Sequence, residues 1–259
     1  MMIDVSFSNF YVYMLVLARM SGMIMFNPIL SRRNIPAALK GGIALVLTFV
    51  TAGTMLGTNI QINSAIEFVY TALKELAVGW VYGFILQMFI SVVLMAGEVM
   101  DMQMGLGMAK VYDPSSNVQM PLSGSLLNIL FFLLFFLSDC HLTIIKMTIL
   151  SFQIIPVGAG TFNFEIGSYI ATLFSGILTL ALKLALPVIA IEIITDASMG
   201  ILMKAIPQIN VFVLNIQTKV LVGMLVLFIL TVPMASFIDA IISNSFTTME
   251  QALKLLAAH

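Results

Sequence analysis

The chain has 259 residues, of which 61% are hydrophobic and only 9% are charged, and its formal net charge is −1. Soluble domains carry roughly 25% charged residues, so the composition is typical of an integral membrane protein. Because Arg32-Arg33 is its one cluster of positive charge, the sequence gives nucleic acid no binding surface. The single cysteine, Cys140, excludes an internal disulfide.

Seven apolar segments follow one another along the chain, and four of them lie in stretches without Asp, Glu, Lys or Arg. A helix needs roughly 17 to 25 apolar residues to cross the hydrocarbon layer, whereas membrane strands are about ten residues long and alternate in polarity. The segments are 10–30, 42–57, 76–97, 122–137, 142–157, 166–191 and 220–238. They predict an all-α membrane protein of about six or seven long apolar helices, organised as a single domain over residues 1–259.

The orientation of these segments in a membrane is ambiguous. Arg32, Arg33 and Lys40 flank the first two segments, and the positive-inside rule places the loop between them in the cytoplasm. Strict alternation of seven spans would then place Lys204 and Lys219 outside, which the same rule disfavours. Either one segment does not span, or a simple series of crossings is the wrong description.

Two segments carry a stripe of small or weakly polar residues that recur every four positions, so each stripe lies on one helix face. The first stripe is Glu75, Gly79, Gly83, Gln87 and Ser91, and the second is Gly167, Ala171, Ser175, Thr179 and Lys183. Small residues at this spacing let helix backbones approach closely in lipid. Each stripe predicts either packing within the chain or contact with a neighbouring subunit, and the sequence leaves both open.

Several charged residues lie inside or beside apolar segments, namely Arg19, Lys146, Lys183, Glu192 and Asp196. An unpaired charge in the middle of a bilayer costs about 3 kcal/mol or more, so such residues usually pair or line a wet cavity. Arg19 and Lys183 have three options: reaching the membrane interface, pairing within the chain, or pairing with another subunit. A proton relay is less favoured, because most acidic residues lie near the ends of the segments.

The segment "AGEVMDMQMGLGMAKVYDPSSNVQMP" at 96–121 separates two of the most apolar stretches and is itself weakly charged. Gly105 and Gly107 permit backbone angles that other residues avoid, and Asp113-Pro114 is a turn signal. Its methionines can pack in a membrane core or seal an irregular gap, because their side chains are flexible and polarizable. Gly105-Leu106-Gly107 lacks the remaining residues of a phosphate-binding loop.

No arrangement of a nucleophile with a base is apparent in the sequence. Cys140 and His141 are adjacent, and adjacent side chains on a helix point apart, so we interpret them as packing residues at a helix junction. The two histidines are too few and too far apart for a metal site of the usual spacing. We therefore expect no enzymatic activity, no cofactor and no metal.

Four stretches in order along the chain resemble motifs of the FliR family. They are "ARMSGMIMFNPILSRRNIP" (18–36), "KELAVGWVYGF" (74–84), the segment 96–121, and "IPQINVF" (206–212). The resemblance covers nearly the whole chain. One departure is Cys140, which stands where the family pattern has a glycine before the histidine.

The resemblance implies a core subunit of the flagellar type III protein export gate in the bacterial inner membrane, at the flagellar basal body. Such a subunit would join FliP and FliQ in a closed helical assembly surrounded in part by membrane lipid, contact FlhB, and pass unfolded flagellar proteins. The resemblance also implies that the loop around 102–120 is a plug in the channel. The plug residues would be Met102, Met104, Gly105, Leu106, Gly107, Met108 and Met120.

Two alternatives stay open on the sequence. The machine could be a virulence injectisome, whose export apparatus contains relatives of the same family. In a different class, the chain could be a secondary transporter in which the Gly/Met segment is a re-entrant loop that binds a small solute. Transporters often contain paired broken helices in two related halves, and only one such loop is visible here.

Overall fold

The computed structural model describes residues 7–32, 34–55, 64–106, 121–158, 163, 165–206 and 211–257. Within these ranges there are eight helices and no strand, which confirms the predicted all-α class. The helices are α1 (Phe7–Phe26), α2 (Ala37–Gly53), α3 (Ala65–Gln103), α4 (Leu122–Leu137), α5 (Cys140–Ile154), α6 (Ile166–Ala205), α7 (Val211–Ile229) and α8 (Thr231–Ala257).

The hydropathy pattern locates some helices well and misplaces the ends of others. The predicted segment 122–137 coincides with α4, but the segment 166–191 is only the first part of α6. The segment 220–238 crosses a break at Leu230, where α7 and α8 meet at a bend of 64°. Pro233 in the first turn of α8 explains the break, because a proline lacks the N–H that bonds four residues back and its ring collides with that carbonyl.

Two of the described helices, α3 and α6, are long and apolar enough to cross a membrane, and the number rises to four if each of two bent helix pairs is one span. They contain 39 and 40 residues, which corresponds to roughly 60 Å of helix at 1.5 Å per residue. The hydrocarbon layer is only about 30 Å thick. Both helices are therefore longer than a simple crossing requires.

The chain divides into two compact units, and the first comprises residues 1–88, 139–172 and 243–259. In this unit α1 packs against α2, and its core includes Val12, Val16 and Met20 of α1 together with Ala52 and Phe152. The face of α1 that carries these residues repeats every four positions, which is the helical period expected for a buried stripe.

The second unit comprises residues 89–138 and 173–242. Its aromatic core lies on α4, where Phe131 and Phe135 are fully buried and stack with their ring centroids 6.2 Å apart. The helices α3 and α4 meet at Gly97 and Gly124. A Cβ atom added to Gly97 would overlap the backbone nitrogen and Cα of Gly124, so this crossing requires a residue without a side chain.

Candidate functional site

The segment that the sequence singles out leaves α3 through a tight helix C-terminus. Gly105 has a positive φ of 77°, and its N–H donates to the carbonyl of Met102 at 3.2 Å. The N–H of Leu106 donates to the carbonyl of Asp101 at 3.0 Å. This pair of bonds is the Schellman pattern, in which a glycine in the left-handed region ends a helix. The prediction of an unusual backbone at Gly105 is confirmed.

The same Asp101 also holds the beginning of α4. Its carboxylate accepts the backbone N–H of Leu122 at 2.5 Å and that of Ser123 at 3.1 Å, and the residue is only 3% exposed. A carboxylate at a helix N-terminus satisfies N–H groups that have no partner within the helix and interacts favourably with the helix dipole. Through its carbonyl and its carboxylate, Asp101 therefore holds the chain at both ends of the segment 107–120.

Met104 fixes the start of the segment to α7. Its side chain is fully buried, and it lies against Gly223: a Cβ atom added to Gly223 would overlap the Met104 thioether. The same added atom would lie 2.9 Å from Oε1 of Glu192. The missing side chain of Gly223 thus creates a notch on α7, in which Met104, just after the end of α3, meets a glutamate from α6.

Glu192 itself lies in unusual surroundings. It is fully buried, and neither carboxylate oxygen has a hydrogen-bond partner among the described residues. One helical turn further on, Asp196 is paired: its Oδ2 lies 2.8 Å from Nζ of Lys219, and its Oδ1 accepts from Asn215 at 3.3 Å. The α6–α7 contact therefore contains two acidic side chains and one lysine, and the lysine pairs with the more exposed acid.

The residues that the resemblance implies for the plug differ in their surroundings. Met102 is 70% exposed, Leu106 is half-buried, and Met104 is buried in the notch described above. Gly105 forms the helix terminus. Gly107, Met108 and Met120 lie outside the described residues. Met104 thus anchors the segment in this structure, whereas Met102 projects from it.

Arg19 is fully buried in the first unit, and each of its three side-chain nitrogens has a hydrogen-bond partner. Its Nε donates to Oε2 of Glu75 at 2.6 Å, and its two terminal nitrogens donate to Ser151 Oγ at 3.1 Å and to the Ile155 carbonyl at 3.0 Å. The guanidinium also lies 4.1 Å from the centre of the Phe152 ring. Of the three options that the sequence leaves open for Arg19, the structure shows pairing within the chain.

Glu75 is satisfied at its other oxygen as well, since Oε1 accepts the N–H of Gly158 at 3.0 Å. The ion pair therefore connects α1, α3, α5 and the chain that follows α5. Buried ion pairs are tolerated when further hydrogen bonds satisfy the remaining atoms. This cluster fixes the helix arrangement of the first unit.

The stripe on α3 is largely occupied by the chain itself. A Cβ atom on Gly79 would overlap the Arg19 carbonyl, and one on Gly83 would lie 2.6 Å from the Phe26 carbonyl carbon. Gln87 is exposed and Ser91 is half-buried. The two glycines thus allow α3 and α1 to cross closely. Of the two alternatives for this stripe, packing within the chain accounts for these two positions.

The stripe on α6 has the opposite surroundings. All five positions, Gly167, Ala171, Ser175, Thr179 and Lys183, are exposed in the isolated chain. Lys183 forms no ion pair with any described residue and borders a groove of about 210 Å³ lined by Leu184, Pro187, Leu230, Pro233, Met234 and Phe237. The described residues therefore leave this face of α6 exposed.

Several of these relationships could not be found in the sequence. Asp101 was part of the distinctive segment, but nothing near it indicates that it caps a helix 21 residues later. Glu192 and Gly223 lie on two different helices, and only the packing of these helices brings them together with Met104. Within the described residues, no group of three or more His, Cys, Asp or Glu side chains could hold a metal ion.

Comparison with known proteins defines the class of the chain. The model of the family described as bacterial export proteins, family 1, matches residues 10–245. The chain therefore belongs to this family. With its apolar helices, it is a membrane protein of bacterial protein export, and the resemblance inferred from the four motifs is confirmed.

The curated relatives narrow the class to the flagellar system. The chain is 28% identical over 251 residues to the flagellar biosynthetic protein FliR of Escherichia coli K12, covering 97% of this chain and 95% of the relative. It is 30% identical over 253 residues to FliR of Bacillus subtilis 168, covering 96% and 95%. FliR of Pectobacterium carotovorum is 27% identical over 240 residues, covering 93% and 92%. These matches support a flagellar export subunit.

Proposed function

We propose that the chain is a core subunit of the flagellar export gate. It assembles with FliP and FliQ in the bacterial inner membrane, at the flagellar basal body, and contacts FlhB. The assembly forms a channel for unfolded flagellar proteins, and the segment around 102–120 closes it. The chain contributes structure and gating, and it catalyses no reaction.

The surface of α6 is the observation that carries this proposal. In the most apolar window of α6 only 33% of the residues are buried within the chain, against 67% for α3. The exposed remainder includes Lys183 without a partner in the described chain. Lipid would cover the apolar residues, but a charged lysine facing lipid is costly. The small residues beside Lys183 let a second helix approach α6 closely. A carboxylate on that helix would pair with the lysine.

The anchoring of the segment around 102–120 supports its role as the closure of the channel. A channel wide enough for an unfolded protein must be sealed against ions, and apolar constrictions seal by excluding water. Asp101 and the Met104–Gly223 notch hold the base of the segment on the packed second unit. The sequence between these anchors contains Met108 and Met120, whose flexible side chains suit an adaptable seal.

The proposal is tested by purifying the tagged chain from cells that also produce FliP and FliQ. A gate subunit is recovered with both proteins, whereas a secondary transporter is stable alone or as a homo-oligomer. The second measurement is ion leak through vesicles that contain the purified complex. Deleting residues 107–113 leaves Met104 in place, and we expect an assembled complex that leaks ions.

The matched control is an equally long deletion of residues 57–63, in the connection between α2 and α3, which we expect to leave the vesicles tight. An assembled but ion-tight complex without residues 107–113 would contradict the plug role. Purification of the chain without FliP and FliQ would contradict the assembly.

A further inference from the structure

We propose that a groove between α1 and α2 binds one anionic phospholipid, with the lipid phosphate at Lys40 and an acyl chain along the apolar wall. The groove has a volume of about 370 Å³, and all of its lining residues belong to the first unit. Its wall includes Ile24, Met25, Ala37 and Ala44, and Lys40 and Ser31 lie together at the end nearest the loop between the two helices. The site does not depend on the proposed gating function.

Lys40 is a cation without a counter-ion among the described residues. Its Nζ donates to the Ser31 carbonyl at 2.9 Å, and it forms no ion pair with any described residue. An ammonium carries three N–H donors, so this bond holds the charge at the mouth of the groove and leaves donors for a ligand.

The sequence around the groove has an excess of positive charge. Residues 5–66 contain four basic residues and no acidic one. Of the four, Arg19 pairs with Glu75 of α3, whereas Arg32, Arg33 and Lys40 lie in or next to the loop between α1 and α2. An anionic ligand at this end of the groove would balance their charge.

The wall of the groove favours a lipid over an acidic peptide. Ser21 is the remaining polar residue of the lining, and its hydroxyl donates to the Ala18 carbonyl of its own helix at 2.9 Å. The wall therefore offers few hydrogen-bond partners to a peptide backbone, and polar backbone groups without partners are costly at an apolar surface. A hydrocarbon chain has no such groups.

The outer face of α2 also indicates lipid surroundings. Leu39, Val46 and Phe49 are each more than half exposed, and Lys40 is the one charged residue of this helix. The positive-inside rule assigns the loop before α2 to the cytoplasmic side, where anionic headgroups attract basic residues next to membrane helices. The basic mouth and the apolar wall thus match the phosphate and the chains of a phospholipid.

The test counts the phospholipids that the purified assembled complex retains in detergent, by native mass spectrometry, after phosphatidylglycerol or phosphatidylcholine is added. One basic residue near a membrane surface contributes about 1 kcal/mol towards an anionic lipid, so Lys40→Gln should weaken the retention of phosphatidylglycerol about fivefold. Lys40→Arg keeps the charge and should retain the lipid. Lys204→Gln is the control, because Lys204 is an exposed lysine that also has no ion pair among the described residues.

Two adjacent glycines of α2 provide a matched pair of variants. A Cβ atom added to Gly41 or to Gly42 meets nothing within 4 Å, but only Gly41 lines the groove. Gly41→Leu fills the groove, and we expect its complex to retain one phosphatidylglycerol fewer per copy of the chain than wild type. Gly42→Leu should retain as many as wild type. This difference separates the groove from lipid sites on other subunits.

Equal retention of phosphatidylglycerol and phosphatidylcholine at the groove would overturn the proposal, and so would unchanged lipid counts in Gly41→Leu and Lys40→Gln. Displacement of the lipid by millimolar inorganic phosphate would show that the groove selects the anion alone. Loss of the partner subunits from Gly41→Leu but not from Gly42→Leu would show that a protein fills the groove, which also contradicts a lipid. If Gly41→Leu is not recovered folded, the comparison of Lys40→Gln with Lys40→Arg decides.

Discussion

The carboxylate of Asp101 accepts the backbone N–H of Leu122 at 2.5 Å, across 21 residues of the chain. The carbonyl of Asp101 accepts the N–H of Leu106. One residue thus holds both the end of α3 and the beginning of α4, on either side of the segment 107–120. Any chain between these points has its two ends held together, whatever its own conformation. Just before this segment, Met104 is held as well, because it lies against Gly223 of α7.

The first prediction concerns Asp101. Asp101→Ala removes the acceptor for two N–H groups of α4, and loss of such a cap costs about 0.5–2 kcal/mol. We expect a lower melting temperature of the purified complex and an increased ion leak. Asp101→Asn keeps one acceptor oxygen and should fall between wild type and Asp101→Ala. Equal behaviour of all three proteins would show that the cap does not hold the segment.

The second prediction concerns the notch. Gly223→Ala places a methyl group where the Met104 thioether lies, and we expect Met104 to be displaced and the complex to leak. The defect comes from the volume of the added methyl group. The further change Met104→Ala frees space in the notch, so it should partly restore the seal against ions. Gly200→Ala on α6 is the control, since nothing lies within 4 Å of a Cβ atom there. A Gly223→Ala complex as tight as the Gly200→Ala control would contradict this explanation.

The third prediction concerns the buried ion pair. Removing one partner of a buried pair costs about 3–5 kcal/mol, because the other charge is left without compensation. We expect Arg19→Met and Glu75→Gln each to reduce the yield of folded chain severely. The double variant should recover much of this loss, since no buried charge remains. The measurement is the amount of protease-resistant chain in membranes, and a double variant worse than both single variants would contradict the pairing.

The fourth prediction concerns the crossing of α3 and α4. Gly97→Ala forces the two backbones apart at Gly124, and overpacking of this kind costs about 1–3 kcal/mol. Gly42→Ala is a matched control on α2, where a Cβ atom meets nothing within 4 Å and a helical Gly→Ala change gains about 0.5–1 kcal/mol. Thermal unfolding of the purified complex should separate the two variants in opposite directions.

The sequence predicts the helical class because its apolar runs are long, and it predicts α4 fully because Pro121 and Ser138 bound one uninterrupted apolar run. It fails at the α7–α8 break, where the apolar run continues through Leu230 and only Pro233 signals the bend. Hydropathy measures how apolar a segment is, and it carries no information on whether the helix axis bends within that segment. It also overlooks how far α6 continues beyond residue 191, because Glu192 and Asp196 interrupt the apolar run without interrupting the helix.

The sequence predicts where along the chain the candidate site lies, but it does not predict which side chains contact one another there. The Gly/Met segment and the positive φ at Gly105 follow from local sequence, since glycine is the residue that tolerates such angles. The pairing of Arg19 was one of three options, and its partner Glu75 lies 56 residues away. The Met104–Gly223–Glu192 notch joins three helices, and no periodicity within one helix indicates which faces of the others it meets.

The last prediction concerns Lys183 on the exposed face of α6. If this lysine pairs with a carboxylate on a partner helix, Lys183→Glu places two acids together at that contact and should abolish recovery of the partner subunits. Lys183→Arg keeps the charge and should retain them, and Lys183→Met should be intermediate because the apolar contact remains. Lys254→Glu is the control, because Lys254 is 67% exposed and its ion pair among the described residues is with its helical neighbour Glu250. The measurement is the amount of partner protein recovered with the tagged chain, together with swimming motility.

Full recovery with Lys183→Glu would show that this face of α6 is covered by lipid. Restoration of assembly by an acid-to-lysine change in the partner would identify the residue that pairs with position 183.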